Sequence, residues 1–107
     1  MTYLLLAGAI VLEVMGTISL RLSDGLSRPV PTVLVAVGYL SAFVLLAQVL
    51  ARGLPVGVSY AIWAGGGVAL VALIGAAFLD DALTWVQAGG LVLVIAGVAA
   101  LELGRPQ

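Results

Sequence analysis

The chain has 107 residues, 64% of them hydrophobic and 8% charged, with a formal net charge of −1. Charged residues make up about a quarter of a typical soluble domain, so this chain has too few to cover a water-exposed surface, and lipid is its expected solvent. Four scattered arginines cannot neutralise a run of phosphates, which argues against a nucleic-acid partner, and the absence of Cys and His removes disulfides, thiolate nucleophiles, His-based triads and the common zinc, haem and iron–sulfur ligand sets.

A membrane-spanning helix needs about 20 mostly apolar residues, and four such runs fill the chain. The first, 3–22, is closed by Arg21 and the turn-forming Ser23-Asp24-Gly25, with Arg28 and Pro29 completing the loop. It has no basic leader, and the carboxylate of Glu13 interrupts it, so it reads as a retained span rather than a signal peptide. The second, 31–51, starts at Pro31, which suits a first helical turn, and ends at Arg52-Gly53. The third, 56–79, is stopped by Asp80 and Asp81, which need water. The fourth, 84–103, leaves the short tail Gly104-Arg105-Pro106-Gln107. None of the runs alternates as the strands of a membrane barrel do. The fold class is therefore all-α integral membrane, one domain of four helices over 1–107, and the short loops make sequential helices antiparallel.

Arg52 and Arg105 fall on the face that carries the termini, Arg21 and Arg28 on the opposite one. Lys and Arg in short loops set membrane orientation. A tie of two against two points to insertion in both orientations, the alternative being chance among so few charges.

Glu13 is the exception to the placement of charge, since every other charged residue sits at a loop or helix end. An ionisable group at mid-membrane costs at least ~2.5–3.5 kcal/mol and persists mainly where it faces a cavity or a partner. No basic residue occurs at that depth. Glu13 must then either hold a proton or meet a cation from outside the protein, unless it is merely a neutral acid hydrogen-bonded inside the bundle. Residues three, four and seven apart share a helix face, which sets Leu6, Ala9, Ile10, Gly16 and Thr17 beside Glu13, with small Ala9 and Gly16 leaving room. Tyr60, Trp63, Ala64 and Gly67 share a face of the third run, and Tyr39 and Phe43 one of the second. Aromatic faces attract cations, although aromatics on membrane helices also serve packing or, as expected for Tyr3 and Trp85, anchoring at the interface. Gly65-Gly66-Gly67 reads as a bending point or as a close helix contact. Gly90, Leu93, Val94 and Gly97 form a small-residue seam suited to another helix.

Taken together, Ala9-Ile10-Val11-Leu12-Glu13-Val14-Met15-Gly16-Thr17, Asp24-Gly25-Leu26-Ser27-Arg28, Leu45-Leu46-Ala47-Gln48, Tyr60-Ala61-Ile62-Trp63 and the Gly90–Gly97 seam resemble the small multidrug resistance family of bacterial transporters over nearly the whole chain. The resemblance implies a dimer of two oppositely oriented subunits in the inner membrane. Helices one to three would form the chamber and helix four the main dimer contact. Glu13 would bind proton and substrate, and Tyr39, Tyr60 and Trp63 would line the chamber. Gly16-Thr17 and Tyr39 match the subtype exporting bulky hydrophobic and quaternary ammonium cations, whereas guanidinium exporters usually have Trp-Ala in place of Gly16-Thr17. The chain departs from the common pattern at Ala64 (often Ser or Thr), at Arg21 (often Lys) and by an extra residue around Arg52-Gly53. A guanidinium exporter and one subunit of a paired heterodimer stay as alternatives to a homodimeric proton-coupled antiporter. Small cations, protons and lipid are the partners expected, with no cofactor, no metal and no enzymatic activity.

Overall fold

The computed structural model describes residues 1–105. It contains four helices, α1 (Thr2–Leu22), α2 (Pro29–Ala51), α3 (Val56–Phe78) and α4 (Trp85–Leu103). At about 1.5 Å per residue they are roughly 28–35 Å long, enough to cross a hydrocarbon core of about 30 Å. All four are apolar enough for that crossing. Pro106 and Gln107 of the expected tail lie outside the described residues.

The helix boundaries follow local chemistry. Past α1, the Ser23 hydroxyl donates to the Leu20 carbonyl at 2.7 Å and accepts the Leu26 N–H at 2.9 Å. Asp24, Gly25 and Leu26 in between all have positive φ. α2 begins at Pro29 rather than at Pro31, with Arg28 as its N-cap. Both prolines fit in the first turn, because the N–H groups they lack have no intrahelical acceptor there. α3 ends at Phe78, one residue earlier than expected, and Asp80 turns the chain at φ +59°. Thr84 lies just outside α4 and caps it: its hydroxyl accepts the Gln87 N–H, and the Gln87 side chain accepts the Thr84 N–H, both at 3.1 Å.

The subunit is a slab of 46 × 34 × 18 Å. α1 packs on α2 and α3, while the α4 backbone approaches α3 alone. Between α1 and α2 the backbones meet, since a Cβ on Gly38 would stand 2.8 Å from the Leu12 carbonyl oxygen and 3.1 Å from Gly16 Cα. Helices in lipid associate through such close packing. Gly38→Ala is therefore expected to push α1 and α2 apart at a cost of about 1–3 kcal/mol, seen as a lower unfolding midpoint in detergent micelles.

Polar contacts pin the two ends of the slab. The Arg21 guanidinium donates to Asp81 at 3.0 and 3.2 Å, joining α1 to the α3–α4 loop. At the other end the Tyr3 hydroxyl donates to Glu102, which also pairs with Arg105 at 3.5 Å. Tyr3 thus ties α1 to α4, a role beyond the interface anchoring expected of it. Trp85, 92% exposed, does stand free at a helix end. The two ion pairs fall one on each membrane face, so pairing leaves the arginine balance intact.

Candidate functional site

α1 carries the carboxylate at the centre of the candidate site. Glu13 is the twelfth residue of a 21-residue helix, about halfway along it. Its Oε1 accepts the Thr17 hydroxyl at 3.2 Å, one helical turn further on. Thr17 Oγ1 in turn lies 2.7 Å from the Tyr39 hydroxyl of α2. Oε2 is buried and has no hydrogen-bond partner. Among the described residues the ion pairs are Arg21–Asp81 and Arg105–Glu102, so no basic side chain neutralises Glu13. An orphaned carboxylate oxygen in a low-dielectric setting is costly unless a proton or a cation joins it.

Glycines bring the other helices up to this group. A Cβ on Gly67 of α3 would stand 2.5 Å from Oε2, so the carboxylate occupies the space that a side chain there would fill. Gly16 does not leave room beside Glu13 as expected. The Tyr39 ring covers it, with Cδ1 and Cε1 each 3.0 Å from where a Cβ would be, which is how the phenol reaches Thr17. The three consecutive glycines face three different neighbours: Gly65 meets Val94 and Val98 of α4, Gly66 meets Ile10, and Gly67 meets Glu13. α3 runs unbroken through them.

The aromatic residues form a panel on α2 and α3. Trp63 is flanked by Phe43, with ring centroids 5.3 Å apart in an edge-on arrangement, and by Tyr60 at 5.7 Å. Phe43 and Tyr60 are 55% and 58% exposed, so the panel opens outward from the subunit. Ala64, one residue beyond Trp63, is exposed as well. Trp63 Nε1 is a buried donor without an acceptor, and Trp63 packs against the cluster of Leu6, Val49, Leu54 and Val58.

Several residues grouped with Glu13 by spacing are drawn elsewhere. Leu6 and Ala9, 1% and 0% exposed, are core residues here and line no open space. Ile10 turns to the other side of α3 and lines a cleft of about 160 Å³ with Gly65, Gly66, Ile95 and Val98. It stands about 60° from Glu13 around the helix, enough to change sides. The expected seam on α4 also divides. Val94 packs against Gly65 inside the subunit and, with Gly90, lines a cleft against Val68, Val71 and Ala72 of α3, whereas Gly97 has open space before it and Leu93 is 73% exposed. Gly38, which sets the α1–α2 distance, was not singled out in the sequence. Nothing marks its partner, Gly16 of another helix, as opposite it.

Comparison with known proteins bears directly on this arrangement. A family profile described as Small Multidrug Resistance protein matches residues 1–94. The chain belongs to the small multidrug resistance family. The multidrug resistance protein mmr of Mycolicibacterium paratuberculosis is 42% identical over 96% of both chains. The nicotine metabolites export pump subunit NepA of Paenarthrobacter nicotinovorans is 46% identical over 96% of this chain and 88% of its own. The quaternary ammonium compound-resistance protein QacF of Klebsiella aerogenes is 42% identical over 94% and 91%. With its four spans, this member of the small multidrug resistance family is a multi-pass protein of the bacterial inner membrane.

Proposed function

We propose that the chain exports hydrophobic cations, aromatic and quaternary ammonium ones among them, in exchange for protons. The observation that carries this reading is the mid-span carboxylate of Glu13, one oxygen buried and unpaired, with no cation supplied by the protein. The name of QacF, a quaternary ammonium compound-resistance protein, agrees with a cationic substrate, and that of mmr with multidrug resistance.

The working unit is a dimer of two opposite copies. One slab of 18 Å thickness cannot enclose a path with two gates, and opposed copies would supply the inverted repeats that larger transporters carry within one chain. The balance of Arg21 and Arg28 against Arg52 and Arg105 lets both orientations insert. Leu93 and Gly97, left open on α4, supply the seam for the second subunit, and the outward aromatic panel becomes a chamber wall once that subunit is in place. Two Glu13 carboxylates then face one chamber. Protons and a lipophilic cation then compete for the same oxygens, which makes the exchange obligatory. The inward and outward states interchange by repacking at Gly65–Gly67, where a shift of α3 is felt at once by α4, by Ile10 and by Glu13.

Uptake of a lipophilic aromatic cation by proteoliposomes, driven by an imposed pH difference, tests this function. Accumulation that disappears when the difference is collapsed supports it, and accumulation indifferent to pH contradicts it. Trp63→Ala should weaken aromatic-cation binding by ~0.5–2 kcal/mol, the worth of one cation–π contact, measurable by fluorescence titration in micelles.

The name of NepA as a pump subunit favours one second reading, a heterodimer with a paralogue. The same proteoliposome assay on this chain alone separates the two, since a heterodimer subunit would move no cation without its partner.

A further inference from the structure

The contacts around Thr17 carry an inference about how Glu13 communicates with the wall of the site. A threonine hydroxyl has one proton to donate, and an ionised carboxylate can only accept. With Thr17 Oγ1 at 3.2 Å from Glu13 Oε1 and 2.7 Å from the Tyr39 hydroxyl, the directions are fixed when Glu13 is charged. Thr17 donates to Glu13, so Tyr39 must donate to Thr17, and the phenol oxygen turns its lone pairs away from Thr17. A proton arriving at Glu13 has two oxygens to choose from. On Oε2, buried against Gly67 with no acceptor in reach, its hydrogen bond would go unmade, which is unfavourable. On Oε1 it can be donated to Thr17. The Thr17 proton then swings to Tyr39, and the Tyr39 O–H points away from the relay.

We propose that Thr17 is a two-way hydrogen-bond switch that reports the protonation of Glu13 to Tyr39, turning the phenol from lone pairs outward to O–H outward. No proton is transferred beyond Glu13. The three oxygens only reverse their donor order. A cation beside Tyr39 meets electron density when Glu13 is charged and the positive end of an O–H bond when Glu13 is protonated, so the aromatic wall and the carboxylate change their preference together. This deepens the antiport reading and rests on it for the link to the cation. The ionisable surroundings are simple. α2 contributes Tyr39. α3 presents Gly67 to the carboxylate and carries Tyr60 two turns earlier, beside Trp63. Arg21, two turns along α1, is bound to Asp81, and the α4 carboxylate Glu102 meets the other end of α1 at Tyr3.

The test is carbon-13 NMR of the cation-free protein in bilayers, labelled at tyrosine Cζ and glutamate Cδ, across pH. Tyr39→Phe assigns the Tyr39 signal. The relay predicts that Tyr39 Cζ moves with the midpoint of Glu13 Cδ, that the movement is lost in Thr17→Val, and that Thr17→Ser restores it. An unmoved Tyr39 in the wild type, or the same movement in Thr17→Val, overturns the relay. A second arm titrates tetraphenylphosphonium. Wild-type binding indifferent to pH would overturn the antiport reading instead, and the NMR arm would still decide on the relay.

Discussion

Glu13→Gln abolishes pH-driven accumulation of lipophilic cations in proteoliposomes and weakens their binding by at least about 30-fold, since losing one partner of a desolvated charge pair costs roughly 2–5 kcal/mol. The substitution keeps the shape of the side chain and one acceptor oxygen for Thr17, while the amide NH2 replaces the second oxygen with a donor and removes the charge and the acid proton. Helix content and membrane insertion should therefore be unchanged. Full activity of the Gln variant would show that the carboxylate is a neutral packing group.

The second large effect is expected at a residue without a side chain. In Gly67→Ala the new Cβ would stand 2.5 Å from Glu13 Oε2. Either the carboxyl rotates away, breaking its bond to Thr17, or α3 withdraws from α1, and overpacking of this kind costs about 1–3 kcal/mol. Cation binding should fall by roughly 10–100-fold at about 1.4 kcal/mol per decade. Gly66→Ala is the matched control. Its Cβ would meet the terminal Cδ1 of Ile10 at 2.9 Å, and that flexible end can move aside, so binding should stay close to wild type. Equal behaviour of the two variants would mean that the glycines serve only helix packing.

The contrast between these two positions also shows what the sequence makes legible. Glu13 stands out because a lone carboxylate in an apolar run has a cost that nothing local repays, and Thr17 follows from it by one helical turn. The four spans are equally plain, as composition and length alone specify them. Their exact starts are not, because Pro29 and Pro31 are both admissible in a first turn and only the capping geometry at Arg28 decides. Contacts between helices are the least legible. Gly65, Gly66 and Gly67 form one sequence feature, yet successive residues point about 100° apart around a helix, so each meets a different neighbour. The same rotation separates Leu93 from Val94 and divides the α4 seam between the inside of the subunit and its open face. Ile10 is lost from the site for that reason, and Gly38 could not be recognised without knowing that it crosses Gly16.

Competition between proton and cation at Glu13 is the central claim, and the protons displaced by cation binding measure it most directly. Calorimetric titration with a lipophilic aromatic cation in several buffers of different ionisation enthalpy, near the pH midpoint of binding, gives that number. Proton release in the wild type, with neither release nor binding in Glu13→Gln, is the result expected. Binding of the cation with no proton released would contradict the exchange.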